Sequence, residues 1–119
     1  MAIYQTKVVN IGSEAKMFIE EKMVVLFGEN APAELADYTF NIIVNPLDGE
    51  IEPGMKLRIN NQEYIVTAVG NAVKKNLEDL GHITIRFTGE KVAELAGTLY
   101  VEDKQIDDIQ IGTEIALYK

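Results

Sequence analysis

Apolar and polar positions alternate with a period of two over most of this chain, the pattern of strands that bury one face. The first run, "IYQTKVVNIG" (residues 3–12), predicts a strand closed by Gly12. "SEAKMFIEEK" (13–22) breaks the alternation and predicts a short helix, with Ser13 as N-cap, Lys16 at the N3 position, and Met17 and Ile19 turned inward. "MVVLFGE" reads as a compact apolar strand, and "NAPAELADY" as one helical turn that tolerates Pro32 near its start. "TFNIIVN" is a further strand, ended by the turn-rich "NPLDGEIEPG".

The second half repeats this grammar. "MKLRI", "NN" and "QEYIVTAVG" predict a hairpin, because asparagines tolerate the positive φ that a tight turn requires. "NAVKKNLEDLG" predicts the clearest helix: Val73, Leu77 and Leu80 share a face by spacing, and Gly81 is placed as its C-terminal cap. "HITIRF", "TLYVED" and "TEIALYK" follow as strands, and the connector "TGEKVAELAG" carries a helical turn. "EIEPGMKLRI" and "DIQIGTEIAL" echo one another, either as equivalent halves or, the simpler reading, as a common turn-plus-strand pattern. About eight short strands at regular spacing indicate a mainly-β fold, a sandwich or a small closed or partly open β-barrel with two or three short inserted helices. No Pro/Ser-rich linker interrupts the pattern, so residues 1–119 are expected to form one domain.

Composition narrows the chemistry. The chain has 19 acidic and 11 basic residues, a net charge of −8, which argues against nucleic acid as a ligand and either suits a basic partner or, the simpler reading, only keeps the protein soluble. It has no cysteine and one histidine, so thiolate chemistry and the usual zinc sites are excluded. No apolar run approaches the roughly 20 residues needed to cross a bilayer, and the start lacks a secretory signal, so a cytoplasmic location is expected. Neither nucleotide-binding glycine loop is present. The carboxylates Glu102, Asp103, Asp107 and Asp108 lack the spacing of a calcium loop and read as a solvated acidic segment.

What remains is His82. Alternation in "HITIRF" puts Ile83, Ile85 and Phe87 on the core face and His82, Thr84 and Arg86 together on the other. An imidazole that is largely neutral near pH 7, a hydroxyl and a planar guanidinium are groups that phosphoryl transfer uses. A histidine tolerated at the start of a surface strand is the competing reading. Glu78 and Asp79, just upstream, are candidates to orient the imidazole, or are simply exposed helix charges. Tyr38, Tyr64 and Tyr100 are candidates for a sugar- or protein-binding pocket, or are ordinary packing residues.

The segments "IYQTKVVNIGSEA", "FGENAPAELADYTF", "PGMKLRINNQEYIVTAVG" and "NLEDLGHITIRF" resemble the glucitol/sorbitol-specific IIA component of the bacterial phosphoenolpyruvate-dependent sugar phosphotransferase system, from Tyr4 to about Leu117. The resemblance implies a cytoplasmic β-barrel phosphocarrier without a cofactor of its own. It would accept a phosphoryl group on a histidine from HPr and pass it to the IIB component of a hexitol permease, meeting the membrane-embedded IIC part only through protein. In enteric members the histidine usually assigned as acceptor lies in the strand after "PAELADY", a position that falls on Ile42 here, with Val44 two residues on. Neither side chain can carry phosphate. Either His82 is the acceptor, or the chain is a non-catalytic paralogue that keeps the barrel for binding or regulation.

Overall fold

Period-two patterning with so few helical stretches leaves a sheet that must bury its apolar face by curling on itself. In the computed structural model, which describes residues 2–119, eight strands do so: β1 (Ala2–Ile11), β2 (Met23–Gly28), β3 (Phe40–Ile42), β4 (Lys56–Ile59), β5 (Gln62–Val69), β6 (Ile83–Arg86), β7 (Thr98–Val101) and β8 (Glu114–Tyr118). They form a closed barrel in the order β1-β3-β2-β6-β7-β5-β4-β8. The β2–β3 and β6–β7 pairs are parallel and the others antiparallel. Parallel neighbours need long crossovers, and these two pairs have them: residues 29–39 and 87–97.

Closure removes every sheet edge, and the inward positions fill the interior. Leu26, Ile42, Leu57, Ile59, Ile85 and Leu99 are all fully buried there. Tyr64 and Phe87 meet edge to face, with centroids 4.9 Å apart at 74°. The β4–β5 hairpin turns at Asn60, whose φ is +54°, as the asparagine pair required. Gly54 and Gly112 adopt the same left-handed turn, at φ +96° and +94°, ahead of β4 and β8. The sequence echo is thus a shared turn-plus-strand device.

Three short helices cap or brace the barrel. Residues Ala15–Glu21 wind as a 3-10 helix, and its start differs from the sequence expectation. Ser13 does not cap it; the backbone N–H of Glu14 instead donates to the carbonyl of Asp37 at 2.8 Å, tying the segment to the chain before β3. Three residues per turn also rotates the faces, so Ala15 is buried while Met17 is 57% exposed rather than inward. Helix α1 (Ala33–Ala36) is the single turn expected, with Pro32 at its N-cap. Helix α2 (Val73–Leu80) buries Val73 and Leu77, but Leu80, at its last position, is 48% exposed at the barrel rim. The connector after β6 carries turns and bends but no helix. No helix among the described residues is long and apolar enough to cross a membrane.

Candidate functional site

His82 sits where α2 hands the chain to β6. Gly81 ends the helix in the left-handed region at φ +66°, its N–H bonding back to the carbonyls of Asn76 and Leu77. The His82 N–H then reaches the Asn76 carbonyl at 3.2 Å. These bonds fix the backbone leading into His82, and the β2–β6 pairing that starts at Ile83 fixes it on the other side. Gly81 in turn lies against Gly28 at the end of β2: a Cβ on Gly81 would meet the Gly28 nitrogen at 3.0 Å and Val44 Cγ2 at 3.2 Å.

Register then decides what the imidazole touches. The β2–β6 pairing runs Met23↔Arg86, Val25↔Thr84, and continuing it brings Phe27 opposite His82 on the outer face. The two rings stack, centroids 4.2 Å apart at 21°. His82 Nδ1 is 3.0 Å from the backbone carbonyl of Leu26. A carbonyl oxygen only accepts, so Nδ1 carries the proton in this contact and the neutral ring keeps its lone pair on Nε2. A half-buried imidazole held in one tautomer, with one nitrogen free, is a nucleophile or a base.

Thr84 and Arg86 occupy the same outer face, half-buried, while Ile83, Ile85 and Phe87 are buried. Strand geometry sets Thr84 about 6.6 Å and Arg86 about 13 Å along the strand from His82, Cα to Cα. Thr84 is therefore adjacent, whereas Arg86 reaches the imidazole's neighbourhood only through its long side chain. Arg86 forms no ion pair among the described residues, and its Nε is buried without a hydrogen-bond partner. Glu78 and Asp79 do not orient the ring. The Leu26 carbonyl holds Nδ1, and Asp79 pairs with Lys75 at 3.2 Å, four residues back on the helix.

Ile42 points into the barrel, fully buried beside Val8 and Gly28 in register, so nothing at that position meets solvent. Val44 is 42% exposed and borders Gly81, on the rim next to His82. Tyr64 and Tyr100 are packed in the core. Their hydroxyls anchor loops: Tyr64 donates to the Gln105 carbonyl at 2.7 Å and accepts from the Asp107 N–H at 2.9 Å, and Tyr100 accepts from the Leu95 N–H at 3.1 Å. Tyr38 stays at the surface near Phe18. The acidic segment is dispersed, with Asp103 paired to Lys22 and Glu102 accepting from the Ile65 N–H.

Leu26 and Phe27 were missed in the sequence because "MVVLFGE" shows only an apolar strand. The signal that assigns them, the β2–β6 register, is a pairing between segments more than fifty residues apart.

Residues 3–116 match the family model described as the PTS system glucitol/sorbitol-specific IIA component. A glucitol/sorbitol-specific EIIA component of Shigella flexneri is 40% identical over 111 residues, covering 93% of this chain and 90% of that protein. The corresponding component of Escherichia coli (strain K12) is similar to the same extent. The crystal structure of a PTS system IIA component from Enterococcus faecalis V583 has a TM-score of 0.83 and 27% identity, covering 98% of this chain and 100% of that one. Sequence and barrel agree over nearly the whole length, and the chain belongs to the glucitol/sorbitol-specific IIA components, phosphocarriers of the phosphotransferase system.

Proposed function

We propose that His82 is the phosphoryl acceptor of this carrier, attacking through Nε2. The phosphoryl group comes from phosphohistidine on HPr and leaves to the IIB component of a hexitol permease, in the cytoplasm, with residues 1–119 acting as one domain. The observation that carries this reading is the contact of Nδ1 with the Leu26 carbonyl, which leaves the Nε2 lone pair free on a ring braced by Phe27. It is supported by the burial of Ile42, which removes that position as an acceptor on grounds of access as well as chemistry.

Transfer is then an in-line exchange between two imidazoles. The P–N bond of the donor breaks as a P–Nε2 bond forms, and His82 keeps its Nδ1 proton. Positive charge develops on the ring as it is phosphorylated. The Leu26 carbonyl accepts from Nδ1–H, and the negative face of Phe27 lies against the ring, so both favour that charge. The rest is positioning and stabilisation of the equatorial oxygens, for which Thr84 is the near hydrogen-bond donor and Arg86 the more distant cation. Any magnesium requirement belongs to an upstream kinase step.

The test is direct. With phosphoenolpyruvate, the general phosphotransfer enzyme and HPr, the wild-type chain gains one acid-labile phosphoryl mass, and His82→Ala gains none. A label that survives His82→Ala, or an unlabelled wild type, overturns the assignment.

A further inference from the structure

Three strands separate β8 from β6 by either route round the barrel, so β8 lies on the side opposite His82. There the outer face carries a hollow of about 250 Å³, bordered by Gln5, Lys7, Asn45, Arg58 and Glu114 above Ala116. Its origin is a single small residue. Gln5, Ala116 and Arg58 form one cross-strand row over β1, β8 and β4, with Glu114 and Tyr118 as the next outward positions on β8. Ala116 points outward yet is only 4% exposed, because longer neighbours stand around it as walls. Asn45 closes one side by donating to the Gln5 carbonyl at 2.7 Å, and Arg58 is braced across the Tyr118 ring at 5.4 Å.

The charge of this hollow runs against that of the protein. Five lysines elsewhere form ion pairs, but among the described residues Lys7 and Arg58 form none. Glu114 lies opposite Lys7 in the β1–β8 register, and Glu63, opposite Arg58 on β5, is engaged by Lys56 and the Tyr118 hydroxyl, so the hollow itself is lined by two cations and one carboxylate on a chain whose net charge is −8. A local excess of one positive charge on an acidic protein favours an anion, and a guanidinium with an ammonium suits a phosphate dianion. The remaining groups, two carboxamides and a carboxylate, suit hydroxyls. The one aromatic face nearby is already covered by Arg58, and the volume holds a small molecule rather than a nucleotide.

We infer that this hollow binds a small phosphorylated polyol, with the phosphate between Lys7 and Arg58 and hydroxyls on Gln5, Asn45 and Glu114. Phosphorylated polyols are the product class of polyol uptake coupled to phosphorylation, so the carrier would register its own pathway's output at a site remote from His82. That assignment of class rests on family membership and not on the role of His82. Binding is read on the unphosphorylated chain, which keeps the two readings separable.

The experiment is an amide chemical-shift titration of the whole chain with glucitol 6-phosphate, glucitol and inorganic phosphate. Glucitol 6-phosphate is expected to give saturable shifts at Gln5, Lys7, Arg58 and Ala116, with tighter binding than either of the other two probes. Lys7→Gln and Arg58→Gln should each weaken it about tenfold, the equivalent of ~1.4 kcal/mol. If Arg58→Gln fails to fold, the exposed Lys7→Gln decides. The inference is overturned by an absence of saturation at about 10 mM, a free energy near −2.7 kcal/mol. It is equally overturned if inorganic phosphate or glucitol binds as tightly, or if the folded variants bind like the wild type.

Discussion

At the scale of single residues, two aromatic rings carry opposite lessons. Phe27 lies flat against His82 and fixes the plane from which Nε2 points outward. Such a stack is worth about 1 kcal/mol beyond simple burial. Phe27→Leu should keep the fold, since the volume change is modest, and slow phosphorylation about fivefold, the rate equivalent of ~1 kcal/mol. Imidazole nitrogen shifts should show the Nδ1–H tautomer losing its dominance; a wild-type rate with unaltered tautomer would show that the stack does no positioning. Tyr4 is the reverse case, a polar group that costs stability. Its hydroxyl is buried without a hydrogen-bond partner, and burial pushes the phenol up to about 12, only partly countered by the nearby Thr6 hydroxyl. The folded state therefore holds this proton more tightly than the unfolded state. The resulting contribution is intact below pH 10 and is lost as pH rises toward 12, by roughly 2–3 kcal/mol. Tyr4→Phe should remove that alkaline loss and raise stability at pH 7 by about 1 kcal/mol, measurable by urea unfolding at both pH values.

Elements meet at the rim, where α2, β2 and β6 converge on a pair of glycines. Gly81 needs its left-handed φ, and its missing side chain admits the backbone of Gly28. Gly81→Ala should cost about 1–2 kcal/mol of stability from the conformation alone. It should also slow phosphorylation, because the displaced backbone carries His82. Gly54, at φ +96° in open space before β4, supplies the contrast: Gly54→Ala should destabilise without slowing transfer. Equal slowing by both would mean that rim packing does not position the histidine. The same elements show what the sequence could disclose. Helix α2, its Gly81 cap and the Asn60 hairpin were legible because each is decided within a few residues by spacing and φ. The outer face shared by His82, Thr84 and Arg86 was legible too, since alternation assigns faces. Alternation does not assign neighbours, however. The parallel β2–β3 and β6–β7 pairs, the Phe27 stack and the Leu26 carbonyl all follow from nonlocal register. Met17 faces outward because its segment winds as a 3-10 helix, and Leu80, at the end of α2, overhangs the core that Val73 and Leu77 enter.

At the scale of the whole molecule, any approaching partner meets a protein of net charge −8. The excess of eight acidic charges acts at long range, whereas the His82 contacts act only once the partner has docked. Glu29 follows Gly28, and Glu78 precedes Gly81 by one helical turn, so acidic residues flank the rim itself. Charge of this kind raises the association rate more than the intrinsic transfer rate. At an ionic strength of 0.1 M its reach is about 10 Å, falling to about 3 Å at 1 M. With phospho-HPr as the proposed donor, presenting a basic surface, the second-order rate constant for phosphorylation should drop severalfold over that range, while the rate at saturating donor changes little. Glu78→Lys should lower the low-salt association rate and converge on the wild-type value at high salt. If salt instead slows the saturated rate, charge acts in the transfer step rather than in the encounter. Arg86, the cation nearest to His82 along the strand, is then the residue to substitute next.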